Sequence, residues 1–225
     1  HSLVAYNTQT GERVWQAGDD AAGYGSPLER VLDGREQIVI LNRPGLSGHD
    51  PTTGEVLWQF PWTNSSETNC SQPVPVGENR LLISTGYGKG AALLHIRKTA
   101  AGWSAEPLWT SRSLKTKFSS PVVYGGCAFG LDDGILACVD LTDGSRRWKA
   151  GRYGHGQVLL VDDVLLVQCE DGQIVLVAAD PSAHRELARL AALADKTWNY
   201  PSLAGRLLLV RNDREAACLE LPINQ

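Results

Sequence analysis

One pattern recurs along this chain and limits what it can fold into. Asn7, Gly11 and Trp15 form the first copy, Asp50, Gly54 and Trp58 the second, and Asp140, Gly144 and Trp148 the third. Each copy places an Asx residue four positions before a glycine and a tryptophan four positions after it. The glycines lie 43 and then 90 residues apart, one period and about two. Self-similarity at a period of roughly 40 residues marks a repeat architecture. Within each copy the Asx side chain can bond the backbone ahead of it and the glycine supplies a positive φ, so the motif encodes a turn between two strands.

Short apolar runs fill the intervals. Ser26–Leu32, Gln37–Asn42, Leu46–Asp50 and Glu55–Phe60 read as strand, tight turn, strand, loop, strand, Thr-Gly turn, strand, which is an antiparallel meander. The same reading divides the chain into a partial unit 1–17, complete units 20–62, 66–111, 116–151 and 152–194, and a partial unit 196–225. Two units carry weaker copies, with His95 and Asp180 at the Asx position. In the first the tryptophan arrives late as Trp109, and in the second Ala188 replaces it. Ser26-Pro27, Gln72-Pro73, Ser120-Pro121 and Tyr200-Pro201 open first strands, where the missing proline N–H costs no ladder bond. Ala183–Ala194 is rich in Ala, Leu, Arg and Glu and so favours helix locally. The repeat register assigns it instead to a fourth strand and a linker.

Meanders of this length, each closed by a tryptophan, describe the blades of a β-propeller. The expected fold is therefore all-β, with four-stranded antiparallel blades of the PQQ-like or WD40-like kind. About five blades' worth of strands are present, and the tryptophans are expected to fill the gaps between blades.

The Asx-x-x-Thr-Gly-x-x-x-Trp wording resembles the repeat of the quinoprotein (PQQ-like) β-propeller superfamily. Within it the chain looks most similar to the BamB-like bacterial outer-membrane assembly factors. Gly23-Tyr24-Gly25 before Ser-Pro, and Gly88–Leu94, carry that likeness. The resemblance implies a closed ring of seven or eight blades, of which this chain would be the C-terminal part and an open arc. The alternative is local closure, with Pro201–Arg211 pairing onto Ser2–Gln16. The chain starts at His1 and contains no Met, which also reads as a piece of a longer protein.

Bulk properties narrow the functional classes. The net charge of −4 offers no general attraction to nucleic acid or anionic membrane. No apolar run approaches the roughly 18 residues a spanning helix needs. The five cysteines contain no CxxC and no adjacent pair, and Cys138, Cys169 and Cys218 lie in apolar strand contexts where a thiol packs as a small hydrophobe.

Binding residues are sought on loops held by a rigid scaffold. The linkers from strand four to the next strand one share a propeller face with the loops between strands two and three. On that face the candidates for a ligand or partner are Tyr24, Arg43, Lys117, Tyr153, His155, Trp198, Asn199 and Tyr200. His155 lies between two glycines and reads as exposed, and Trp198 reads as packing on a neighbouring blade. Asp132-Asp133-Gly134 and Glu170-Asp171-Gly172 look like calcium-loop fragments but lack the other ligands, and Asp-Gly is a hairpin turn signal in its own right. Arg112, Lys115, Lys117, Arg146, Arg147, Lys149 and Arg152 form a basic stretch suited to a solvated face or an acidic partner. Asn64-Ser65-Ser66 and Asn69-Cys70-Ser71 fit the glycosylation sequon.

Enzymatic quinoproteins use adjacent cysteines against the quinone, a calcium ion and a catalytic aspartate, and none of these maps onto this sequence. The expectation is a non-enzymatic scaffold with protein partners in the cell envelope or periplasm, no cofactor and no metal. PQQ with calcium belongs to the competing expectation, a quinone-dependent alcohol or sugar dehydrogenase. A third expectation is a sugar or polymer binder that stacks ligand on Trp198, Tyr200 and Tyr24.

Overall fold

The computed structural model describes residues 1–221, so the end of the final partial unit, 222–225, lies outside the described residues. Every element among the described residues is a strand, and no helix is long and apolar enough to cross a membrane. The chain divides into two compact units, His1–Arg112 and Ser113–Gln225.

The first unit begins with β1 (Leu3–Tyr6) and β2 (Arg13–Ala17), paired only with each other. Next comes a four-stranded sheet of β3 (Leu28–Leu32), β4 (Arg35–Leu41), β5 (Gly45–His49) and β6 (Val56–Pro61). A second holds β7 (Val74–Pro75), β8 (Arg80–Thr85), β9 (Gly90–Thr99) and β10 (Gly102–Ser111). Here the weak repeat copy becomes a long hairpin of two ten-residue strands. A bulge between Pro107 and Trp109 brings Trp109 opposite Leu93, which accommodates the late tryptophan.

The second unit contains β11 (Val122–Tyr124), β12 (Cys127–Asp132), β13 (Ile135–Asp140) and β14 (Arg146–Arg152) as one sheet. The next sheet is β15 (Gln157–Val161), β16 (Val164–Gln168), β17 (Gln173–Ala178) and β18 (Glu186–Ala191). The last is β19 (Ser202–Ala204), β20 (Leu207–Arg211) and β21 (Ala216–Glu220). All pairings are antiparallel between consecutive strands. The helix-prone segment is strand: β18 pairs along β17 from Gln173–Ala191 to Val177–Glu186, so the ladder and the apolar face overrode local propensity. Among the described residues no sheet joins Pro201–Arg211 to Ser2–Gln16.

Neighbouring sheets stack through their apolar faces. In the first unit Leu41, Leu46 and Trp58 pack with Leu81, Ile83 and Leu94 of the next sheet. In the second, Phe129, Leu136 and Cys138 pack with Leu165, Val167 and Val175, and Leu166 and Ile174 pack with Leu208 and Val210. The central strands β12 and β8 are buried along their length, apart from Arg80 at the start of β8.

Of the cysteines expected in the core, Cys138 and Cys169 are there, whereas Cys218 is exposed on β21. It occupies the face of the last sheet opposite the buried Leu208 and Val210, a consequence of strand alternation.

Candidate functional site

The repeated motif acts as a turn and a clamp. Asn7 accepts the amides of Gln9 and Thr10 at 2.8 and 3.0 Å, and Asp50 those of Thr52 and Thr53, both at 2.8 Å. Asp140 accepts Thr142 at 2.7 Å. Asp50 is held at about 2 by the Arg35 guanidinium and by these amides. Asp140 is held at about 2 by the Thr142 amide and Arg147. The tryptophan reaches forward: Trp15 donates to the Pro51 carbonyl and Trp148 to the Asp180 carbonyl, each at 2.9 Å and each in the turn of the following sheet. Gly54 has φ +77° and lies so close to Trp15 that an added Cβ would meet the indole at 2.6 Å. Trp58 differs, donating within its own sheet to Gln37 Oε1 at 2.7 Å. These residues therefore serve architecture.

The opposite ends of the sheets show a second recurring device. In the five sheets of three or four strands, strand two ends on or is followed directly by a buried polar residue: Asn42, Thr85, Asp132, Gln168 and Asn212, none more than 5% exposed. Each ties a linker to its sheet. Asn69 donates to the Asn42 carbonyl at 2.8 Å and accepts from the Thr85 hydroxyl at 2.8 Å. Asp132 accepts the Lys115 amide at 3.0 Å, Gln168 donates to the Asn199 carbonyl at 2.9 Å, and Asn212 donates to the Ala194 carbonyl at 2.7 Å. Asp132 is fully buried and also binds the Lys115 and Lys149 ammonium groups, so the acidic turn there is a charge anchor for lysines. Asn69 is likewise fully buried, so its sequon is inaccessible in the folded chain.

In the second unit several expected residues meet. The Phe118 ring stands 4.8 Å from Trp198 and 5.7 Å from His155, with the Lys117 ammonium 5.3 Å from its centre. Gln157 donates to the carbonyls of both Phe118 and Trp198, at 3.1 and 2.7 Å. Tyr200 accepts the Ser120 amide at 2.7 Å. Asn199 is half-buried and contributes its carbonyl to Gln168. Glu170 joins the group, accepting the Trp198 indole N–H and the His155 amide, both at 2.9 Å. Burial pushes the Glu170 carboxyl up, but those donors outweigh it and hold it below the usual range. Trp198 and Tyr200 remain 43% and 45% exposed.

Two expectations need correction. His155 is half-buried, because Phe118 covers its ring and Glu170 holds its backbone. Tyr153 leaves the loop face: it is 3% exposed, packed in the core between two sheets, with its hydroxyl 2.8 Å from His184 Nε2. A ring that long beside the apolar β12–β17 surface gains more by burial than by exposure. Tyr24 and Arg43 belong to the first unit. Tyr24 is 79% exposed and Arg43 pairs with Glu67. Gln157, Gln168 and Glu170 were outside the expected set. The signal for the two glutamines is a polar residue opening strand one or ending strand two, beside an otherwise apolar run.

Among the described residues no three His, Cys, Asp or Glu side chains form a group able to hold a metal ion. The Cys127 and Cys138 thiols touch each other, but inside the sheet core, where burial pushes both up and keeps them protonated. Cys169, also buried, is pushed up to about 12.

Antiparallel meanders stacked face to face, with linkers latched at one end and Asx turns clamped at the other, define a β-propeller. The chain belongs to the family of the outer membrane protein assembly factor BamB, whose profile matches residues 1–150 and 62–219. No curated protein sequence matches it. Among solved structures, BamB from Moraxella catarrhalis superposes with a TM-score of 0.72 at 17% identity, over 96% of this chain and 66% of that one. Sqt1 from Saccharomyces cerevisiae gives 0.67 at 12%, over 98% and 66%. A computationally designed protein, Ika8, gives 0.63 at 10%, over 93% and 61%. The chain thus spans less than two thirds of each of these proteins, and at such identities the likeness is one of fold.

Proposed function

We propose that this chain is part of a non-enzymatic scaffold of the bacterial cell envelope that binds a protein partner during outer-membrane protein assembly. Membership of the BamB family supports that role and its periplasmic setting. The observation that carries it is the chemistry of the loop face in the second unit. The Glu170 carboxylate is committed to Trp198 and His155, while Trp198 and Tyr200 stay partly exposed. Fixed aromatic groups on a rigid sheet serve recognition, since partly exposed Trp and Tyr are the anchors protein interfaces favour. No cofactor enters this reading.

Two measurements test it. Deleting the gene in its source bacterium is expected to lower the outer-membrane protein content, and the tagged full-length protein is expected to co-purify with a defined envelope protein. Reduction of an artificial electron acceptor by the full-length protein with PQQ, calcium and an alcohol would establish the dehydrogenase reading in its place.

A further inference from the structure

In the first unit two hollows run together where the linker after β2 meets the next sheet. One, of about 520 Å³, opens between Asp19, Asp20, Arg43, Thr63 and Glu67. The other, of about 190 Å³, lies against Pro44, Phe60 and Pro61, and the two share Asp20 and Pro44. The charges of this groove are unequal. Three carboxylates line it against one cation, Arg43, and that cation is taken up by Glu67. Asp19 and Asp20 make no ion pair and no side-chain hydrogen bond among the described residues. The linker that carries them is fixed on either side. The Asp20 carbonyl accepts the Ser2 hydroxyl at 3.2 Å, and the Ala21 carbonyl accepts the Arg43 amide at 3.1 Å. Gly18, just before them, has φ +71° and fits so closely that an added Cβ would meet Ser2 Oγ at 2.8 Å. Asp19 is exposed and Asp20 half-buried, so two carboxylates are held along the groove with no counter-charge.

We propose that this groove docks a basic segment of the protein partner, with the partner's lysine or arginine side chains on Asp19 and Asp20 and an apolar side chain against Pro44, Phe60 and Pro61. The inference rests on the protein-binding function above and names a surface for it and the chemistry of its partner. The charge balance selects the occupant. Arg43 and Glu67 offset each other, so an acidic segment would meet two unpaired carboxylates and no available cation, whereas a basic segment meets both acceptors. A metal ion does not suit the groove, because Asp19, Asp20 and Glu67 do not converge as a ligand group among the described residues. It would also leave the apolar wall unused. Pro44 and Pro61 are exposed and Phe60 is half-buried, so that wall offers apolar area to a side chain. Carboxylates already held in place lower the ordering cost of association. Charge complementarity of this kind acts mainly on association rate and selectivity, so the interaction weakens with salt.

The test uses the full-length protein and short fluorescein-labelled peptides in a Gly-Ser background, read by fluorescence anisotropy. The parent peptide carries lysines on both sides of a central leucine. Its counterparts replace the lysines with glutamine, the lysines with glutamate, or the leucine with serine. The parent should bind about tenfold more tightly than the glutamine peptide and weaken with added salt. The serine peptide should bind about threefold more weakly than the parent. Asp19→Lys with Asp20→Lys should reduce parent binding about tenfold or more, and the milder Asp19→Asn with Asp20→Asn by an intermediate factor. A control of equal charge change on exposed carboxylates of the same unit, Glu55→Lys with Glu78→Lys, should leave binding within about twofold. Glutamine or glutamate peptides that bind as tightly as the parent, or equal loss in groove and control variants, overturn the inference. A serine peptide that binds as tightly as the parent overturns the apolar contact. An identified envelope partner that binds the groove variants as tightly as the unaltered protein also overturns the inference, and it leaves the scaffold function standing. Failure to capture any envelope partner would count against the scaffold function itself.

Discussion

Replacing Trp58 with phenylalanine isolates what a repeat tryptophan contributes. Trp58 is 4% exposed, and its indole N–H donates to Gln37 Oε1 at 2.7 Å, with Gln37 fully buried. Phenylalanine keeps a ring but removes the donor, stranding a buried acceptor at a cost of about 1–3 kcal/mol. It also leaves a void of roughly 40 Å³, worth about 1 kcal/mol at the usual cavity coefficient. The surroundings cannot close that void easily, because the Gly48 backbone already lies against the indole. The expected loss for Trp58→Phe is therefore about 2–4 kcal/mol. Adding Gln37→Leu removes the stranded acceptor as well, so the double variant should recover about 1–2 kcal/mol of that loss. Urea unfolding followed by far-UV circular dichroism measures both, with the slope checked for constancy because repeat arrays can unfold in stages. A Trp58→Phe protein within about 0.5 kcal/mol of the original would refute the reasoning. So would a double variant no more stable than the single one.

Other outcomes follow from the same geometry. Asp50 and Asp140 sit at about 2 in the folded chain against an ordinary 3.8, so their stabilisation is complete above about pH 4 and is lost as the pH falls toward 2. The urea midpoint should decline through that window, and Asp50→Asn with Asp140→Asn should flatten the decline while lowering stability at neutral pH. Asp132→Asn leaves Lys115 and Lys149 without their buried counter-ion and should cost about 3 kcal/mol by urea unfolding. Replacing Asp132 with leucine and both lysines with methionine should restore most of that loss. Gly156→Ala places a Cβ 1.8 Å from the Gln168 carbonyl, so a loss of about 3 kcal/mol or more is expected in a thermal melt.

The turns and the blades were readable in advance because their causes are local. Asp50, Gly54 and Trp58 occupy a turn whose side-chain bonds span three residues, and the apolar runs on either side have strand length. The candidate site was only partly readable. Trp198 and Tyr200 were visible as aromatic residues in a linker, but Tyr153 had the same signal and is buried against His184. What separates them is whether an apolar neighbour from another sheet comes within reach, which spacing along the chain does not encode. The latches Gln157 and Gln168 were missed because a single polar residue at a strand end looks like ordinary turn chemistry.

The sequence by itself determined the repeat, its turns and the alternation of buried and exposed strand positions, since hydrogen bonding and side-chain period act over a few residues. Tertiary structure alone decided which charges remain available. Arg147, Lys149 and Arg152 all lie on β14, yet the first pairs with Asp140, the second with Asp132, and the third makes no ion pair among the described residues. Ion pairing depends on distances of a few ångströms, and here the register of β12, β13 and β14 in one sheet sets those distances.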